Sequence, residues 1–229
     1  LLLAENPEGY RNLCKLATAA QLEGFYYKPR IDRKILAECS SGLIAASACL
    51  HGEIPMFLKE GRTDEADQAA RFYLETFGEG NFFLEVQSNG IPEQEIVNQG
   101  ILDMSRRLSI PIIATNDCHY LDREDVRAHD VLLCIQTGKT LNDGGRFKFA
   151  TDQLYFKSGQ EMAAALGHFP GAIENTAGIA RRCQIEYDFK TYHIPTFAPA
   201  SEMSDDEISE AASRRGWPIR RARARKMLR

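Results

Sequence analysis

Four short apolar runs, each followed by polar residues, punctuate the chain: Leu1-Leu-Leu-Ala4, Gly42-Leu-Ile-Ala-Ala-Ser47, Phe82-Phe-Leu-Glu-Val86 and Pro111-Ile-Ile-Ala-Thr115. Continuous rather than alternating hydrophobicity is the mark of strands buried on both faces, as in parallel sheets. The intervening segments carry helical periodicity. Asn6 is placed to cap a helix with Pro7 at its first position and Glu8 in its first turn, with Tyr10, Leu13, Leu16 and Ala17 on one face. A second short helix spans Asp32 to Glu38. From Thr63, a Thr-Asp-Glu-Ala capping signature opens a helix with Ala66, Ala70, Tyr73 and Phe77 on one stripe, stopped by Gly78 and Gly80. Val97, Ile101, Met104 and Leu108 predict a helix from Pro92 to Leu108, and a further helix runs from about Arg123 to Ile135. Strands alternating with helices at intervals of roughly 30–40 residues are the pattern of βαβ units with right-handed crossovers. The fold class is therefore α/β. A closed barrel of parallel strands needs about 250 residues, so four strands correspond to the later part of a TIM-like barrel.

Beyond Gly138 the pattern changes. Lys139 to Lys157 combines turn formers with Phe147, Phe149, Tyr155 and Phe156, predicting an ordered loop with short strands. Helices are expected from Ser158 to Leu166, capped by Ser158, and from Pro170 to Cys183. Gln184 to Pro199 reads as an extended connector. Acidic Ser204-Asp-Asp-Glu207 and an arginine-rich end containing Trp217 differ from everything before them. The expected organisation is one domain over 1–197 and a connector with an Arg-rich tail over 198–229, disordered or non-native and making few contacts with the body.

Composition adds bounds. With 229 residues, 44% hydrophobic and 26% charged, the chain can build one large core. It has no apolar stretch of membrane-spanning length and no signal-peptide pattern, which points to a cytoplasmic protein. Six cysteines without a C-x-x-C spacing read as reduced thiols. Residues 1–210 hold 20 bases against 32 acids, a net of −12. So acidic a body does not look like a duplex-binding surface, and nucleic-acid contact should come from elsewhere in a larger protein.

The candidate chemistry gathers after the strands, where parallel α/β folds build their sites. On extended backbone, Asp117 and His119 would point to one side and Cys118 away. The alternative is a turn with an Asp–backbone hydrogen bond. Cys49 ends the second run, either as a ligand or as a buried apolar thiol. Glu85, sharing a face with Gln87, is a candidate general base or a partner of loop amides. His129 is a low-ranking ligand candidate that fits a packed helix better, His51 fits a surface or capping role, and His168 and His193 have no partners nearby in sequence.

The segment TNDCHYLDREDVRAHDVLLCIQTGKTLND, Thr115 to Asp143, resembles the end of the PHP (polymerase and histidinol phosphatase) domain of alpha subunits of bacterial DNA polymerase III. The resemblance runs from Leu1 to about Phe197, through LEGFYYKPRID, GLIAASACLHGEI, FFLEVQSNGIPEQ, AIENTAGIARRC and YHIPTF. It implies a distorted (β/α)7 barrel of which this chain lacks the first strands and their His-x-His pair, with the connector leading toward a palm domain. It also implies Cys49, Asp117 and His119 as metal ligands, Asp117 and His119 being catalytic. Such donors suit Zn²⁺, or Mn²⁺, Mg²⁺ or Fe at oxygen-rich positions. The implied activity is metal-dependent 3′–5′ exonuclease or phosphohydrolase chemistry, or a brace for a DNA-directed DNA polymerase whose own catalytic carboxylates lie outside this chain. Primer-template DNA and other replicase subunits are the implied partners, with no membrane. The alternatives are a free-standing PHP phosphatase acting on a small phosphate ester and a metal-free module that binds a proofreading subunit. Three ligands fall short of a metal cluster, so weak metal binding and catalytic silence are expected of the chain alone.

Overall fold

The structure, a computed structural model, describes residues 1–192. The chain divides into a unit Leu1–Glu186 and a second unit Tyr187–Arg229. In the second, the Asp188 carboxylate accepts from the Lys190 and Thr191 amides at 2.8 and 3.2 Å, closing a local turn. The arginine-rich tail with Trp217, and the connector reading beyond residue 192, lie outside the described residues.

The first unit runs β1 (Leu2–Ala4), α1 (Pro7–Leu22), α2 (Arg33–Glu38), β2 (Leu43–Ala46), α3 (Glu53–Lys59), α4 (Thr63–Phe77), β3 (Phe82–Val86), α5 (Pro92–Leu108), β4 (Ile112–Ala114), a 3-10 turn (Arg123–Asp125), α6 (Val126–Thr137), α7 (Gly159–Leu166) and α8 (Ala172–Arg182). The strands form one sheet in the order β1-β2-β3-β4. Strands β2, β3 and β4 are parallel, as their unbroken hydrophobicity predicts. β1 corrects the expectation of an all-parallel series, because it pairs with β2 antiparallel, Leu3 opposite Ile44. The cause lies between them. The Glu5 amide donates to the Gly42 carbonyl at 2.9 Å, and a Cβ on Gly9 would stand 1.8 Å from that same oxygen. The first turn of α1 and the turn into β2 thus share one end of the sheet, and two helices bring the chain back to the end it left.

The same contact rotates α1. Its buried positions are Gly9, Asn12, Leu16 and Ala20, whereas Tyr10 and Ala17, expected on the inner face, are exposed. Asn12 is buried because its side-chain amide donates to the Ser41 carbonyl at 2.9 Å. The expected Asn6 cap is present, accepting from the Glu8 and Gly9 amides. The cap expected of Thr63 is not: Arg62 is the capping residue of α4 and makes no side-chain cap bond. Helix α3, unpredicted, is seated by buried Ile54, Pro55 and Leu58.

Side chains leave the sheet alternately on two faces. Leu43, Ala45, Leu84, Val86, Ile112 and Ala114 enter the larger core, closed by α3, α4 and α5. Ile44, Ala46, Phe83 and Ile113 form a smaller cluster with Ile179 of α8. No closed barrel is present among the described residues. The sheet is open, and α8 guards its β4 edge. Thr176 Oγ1 accepts from the Ala114 amide at 3.1 Å and lies 2.9 Å from the Ala114 carbonyl, while Asn175 donates to the Ile112 carbonyl at 2.9 Å. These bonds occupy the strand groups that an uncovered edge would offer to another chain. Arg182, at the other end of α8, meets Glu5 at 2.8 Å.

Thr176→Val keeps the shape and removes the acceptor, leaving the Ala114 amide without its partner. We expect a loss of about 1–3 kcal/mol in urea unfolding, with Thr176→Ser close to wild type; equal stability of the valine variant would show that α8 does not protect this edge through Thr176.

Candidate functional site

The carboxyl ends of β2, β3 and β4 are tied by one buried side chain. Glu85, 4% exposed, accepts from the Ala48 amide through Oε1 at 2.7 Å and from the Thr115 hydroxyl through Oε2 at 2.7 Å. Its own amide donates to Ser47 Oγ at 2.8 Å. Gln87 donates to Thr115 Oγ1 at 3.0 Å and exchanges two hydrogen bonds with Asn98 of α5. Of the two readings of Glu85, the geometry shows the bond to a loop amide. Ala48 sits in the left-handed region at φ 65°, uncommon for a residue with a Cβ. Gly52 then closes the turn, since a Cβ there would lie 2.1 Å from the Ser47 carbonyl oxygen. Cys49 stands in this turn, partly buried, and His51 is exposed.

Beyond β4 the backbone is not extended. Asp117 has φ 45°, so strand alternation does not govern Asp117 and His119. They meet nevertheless, with Asp117 Oδ1 3.6 Å from His119 Nε2. The loop is held from both sides. Asn89 of the β3–α5 turn and Lys157 reach Asn116 at 2.8 Å, and the His119 amide donates to the Leu154 carbonyl at 2.7 Å. Cys118 points away, its Sγ 3.6 Å from the Tyr155 carbonyl oxygen. This pairing, with a Tyr120–Tyr155 bridge, is what the structure shows of the short strands expected in 139–157.

The His119 ring packs edge-on against Phe149 and His129, with centroids 4.9 and 5.4 Å apart. Burial first, and the neighbouring His119 second, push the His129 imidazole below its ordinary pKa. From α6, the His129 ring also packs against Tyr120 and Phe149, with centroids 5.4 and 5.7 Å away. Among the described residues no group of three or more His, Cys, Asp or Glu is placed to hold a metal ion. The structure brings Asp117 and His119 together and sets Cys49 on the same rim by way of the Glu85 network. It does not gather the three into one ligand group.

A cavity of about 570 Å³ opens beside this rim, lined by Ser47 and Ala48 together with Arg33, Glu53 and Tyr73. Arg33 pairs with Glu53 at 2.6 Å, and the Tyr73 hydroxyl donates to the second Glu53 oxygen at 2.7 Å. Burial, and then this bond, push the phenol up to about 12. Sequence reasoning missed this group, the buried set Ser47, Asn89, Gln94 and Asn98, and the half-buried Thr115. Their signal was polarity where strands end, and the i, i+4 spacing of Gln94 and Asn98 on α5.

Two outcomes follow. Glu85→Gln replaces one acceptor oxygen with a donor, so either the Ala48 amide or the Thr115 hydroxyl loses its partner, and denaturant unfolding should show a loss of about 1–3 kcal/mol whether or not metal is present. Unchanged stability would remove Glu85 from the centre of the rim. For Tyr73, the neutral phenol is favoured by the fold. Its stabilisation is complete below the unfolded value of about 10 and is lost as pH rises toward about 12. Alkaline unfolding of Tyr73→Phe should lack that part of the pH dependence, and an identical profile would contradict the assignment.

A family profile described as PHP domain matches residues 1–89, which takes in Cys49 and Glu85 and stops before Asp117. The chain is 42% identical over 207 residues to DNA polymerase III subunit alpha of Treponema pallidum, covering 90% of this chain and 18% of that protein. It is 46% identical over 204 residues to the Thermus aquaticus subunit, covering 86% and 16%, and 40% identical over 222 residues to that of Saccharopolyspora erythraea, covering 96% and 19%. The chain thus spans less than a fifth of the length of these relatives. Residues 1–89 match the PHP domain family, and the chain is similar along most of its length to one segment of DNA polymerase III subunit alpha.

Proposed function

We propose that this chain serves as the PHP region of a bacterial replicative DNA polymerase alpha subunit, and that its open sheet is one part of a PHP-type barrel. What supports the reading is the similarity to such subunits along 86–96% of the chain. A free-standing phosphatase is the weaker reading, because residues 123–143 resemble the polymerase members and exceed a minimal phosphatase barrel. In this role DNA and other replicase subunits are the partners. Nucleotidyl transfer is carried by residues other than these.

Within that role, we assign the rim formed by Cys49, Asp117 and His119 to part of a metal site for phosphodiester hydrolysis. Zn²⁺, Mn²⁺ or Mg²⁺ held there would supply Lewis acidity toward a phosphoryl oxygen. The donors have suitable chemistry, but only Asp117 and His119 converge, whereas a catalytic metal takes at least three protein ligands. The described residues do not by themselves fit a complete site, and the rim needs donors beyond them. One specific observation favours the brace as a second reading: Glu85, the most deeply placed acid on the rim, spends both oxygens on holding strands together.

Calorimetric titration of the 229-residue chain with Zn²⁺ and Mn²⁺ separates the two. We expect weak binding, reduced at least about tenfold by Asp117→Asn and by His119→Ala, and by Cys49→Ser to the extent that the thiol joins them. Equal affinity across all four proteins would overturn the metal reading and leave the brace.

A further inference from the structure

We propose that the loop joining α1 to α2, residues 24–31, is a binding element for single-stranded nucleic acid beside the Ser47–Ala48 rim. The antiparallel β1 places it there. Because β1 runs opposite to β2–β4, α1 starts at the amino end of β2 and its far end arrives at the side where β2–β4 finish. A cavity of about 330 Å³ is lined by Gly24, Arg30, Ile31 and Asp32. It adjoins the 570 Å³ cavity through Ile31 and Asp32, which line both, and that second cavity reaches Ser47 and Ala48. The two cavities therefore meet at Ile31 and Asp32, between the loop and the rim.

The loop is built to display rings. Phe25, Tyr26 and Tyr27 are 58%, 63% and 82% exposed, three consecutive aromatics that a chain seeking only stability would bury. The tip is stiff. Tyr26 and Lys28 form a backbone bridge, Tyr27 between them holds φ 58°, and Gly24 closes the base so tightly that a Cβ would stand 2.0 Å from the Arg30 carbonyl oxygen. A bulky aromatic in the left-handed region stores strain of the kind found at ligand clamps. The Arg30 guanidinium lies 5.2 Å from the centroid of Tyr26 and steadies that ring.

Charge selects the occupant. Residues 23–34 carry Lys28, Arg30, Arg33 and Lys34 against the two acids Glu23 and Asp32, a local excess of cations within residues 1–210 of net −12. Among the described residues Lys28, Arg30 and Lys34 enter no ion pair. Exposed rings interleaved with free cations are the means by which proteins hold single strands: bases stack on the rings and phosphates meet the cations. A duplex offers no free base faces to Tyr27, and an apolar protein groove would not call for the cations. This deepens the reading of the rim as a phosphodiester site and rests on it for the class of ligand.

The test is fluorescence anisotropy of a labelled oligothymidine of about twelve nucleotides with the full 229-residue chain in EDTA, where hydrolysis cannot occur. Tyr27→Asn keeps a residue that tolerates left-handed backbone and removes the ring, so affinity should fall about tenfold or more while Tyr27→Phe retains it. Lys28→Ala should weaken binding and lower the salt dependence by about one phosphate contact. An abasic strand of equal length should bind less tightly to the wild type and be insensitive to Tyr27→Asn. Unchanged affinity of Tyr27→Asn, equal losses for abasic and ordinary strands, or no binding of the oligonucleotide by the wild type, as a protein-docking loop would give, would each overturn the proposal. Circular dichroism confirms that the variants are folded. Since the hydrolytic reading is tested by the Zn²⁺ and Mn²⁺ titrations and the loop by oligonucleotide binding in EDTA, failure of the one and failure of the other are read in different measurements.

Discussion

A buried carboxyl group with both oxygens engaged is the constraint on which this architecture turns. Removing Glu85 from water costs several kcal/mol unless hydrogen bonds replace the lost solvent, and the fold supplies them from two different segments, the Ala48 amide and the Thr115 hydroxyl. The β2 exit, the body of β3 and the β4 exit are thereby fixed to one another at side-chain precision. Ala48 is held in its left-handed conformation, which sends Cys49 into the turn closed by Gly52, and Thr115 is held where the chain departs toward Asp117. The polar groups around Glu85 are also satisfied, and among the described residues no buried side-chain nitrogen or oxygen lacks a partner. Networks of this kind rigidify when complete and destabilise when broken.

The second constraint is the direction of β1. A parallel first strand would have put the α1–α2 connection at the opposite end of the sheet. The close approach of Gly9 to Gly42 rules that out and delivers an aromatic and basic loop to the side where the strands finish. At the far edge, α8 covers β4 with two polar side chains in place of another strand. Small-residue contact on one side and side-chain mimicry of a strand on the other let four strands stand as an open sheet.

These constraints bear on the PHP relationship. The donors that the polymerase resemblance picks out lie on loops after β2 and β4, not on the strands, and only the pair after β4 converges. Loops anchored from both sides, as Asn116 is by Asn89 and Lys157, can present donors with little conformational freedom to lose on binding. Preorganisation of that kind is what a metal or phosphate site requires of its protein.

Much of this was legible in the sequence. β3 and α5 have the ends that their hydrophobic patterns predict, because burial on both faces and a 3.6-residue stripe leave an unambiguous record in composition. The Asn6 and Ser158 caps were legible for a similar reason: capping is local chemistry within three residues. Long-range geometry was not. Nothing in Leu1-Leu-Leu-Ala4 records that its partner strand runs the other way, since strand direction was set by the contact of Gly9 with Gly42, 33 positions apart. The rotation of α1 that buries Asn12 in place of Ala17 has the same origin. Asp117 and His119 met as the alternation argument required, but through a left-handed turn that the argument did not contain. The centring of the rim on Glu85, Ser47 and Thr115 depended on three strand ends arriving together, and a hydrogen bond between residues 30 or more positions apart leaves no periodic trace in either segment. Local pattern determined which elements form; only tertiary contact decided which way they run and which polar groups they bring face to face.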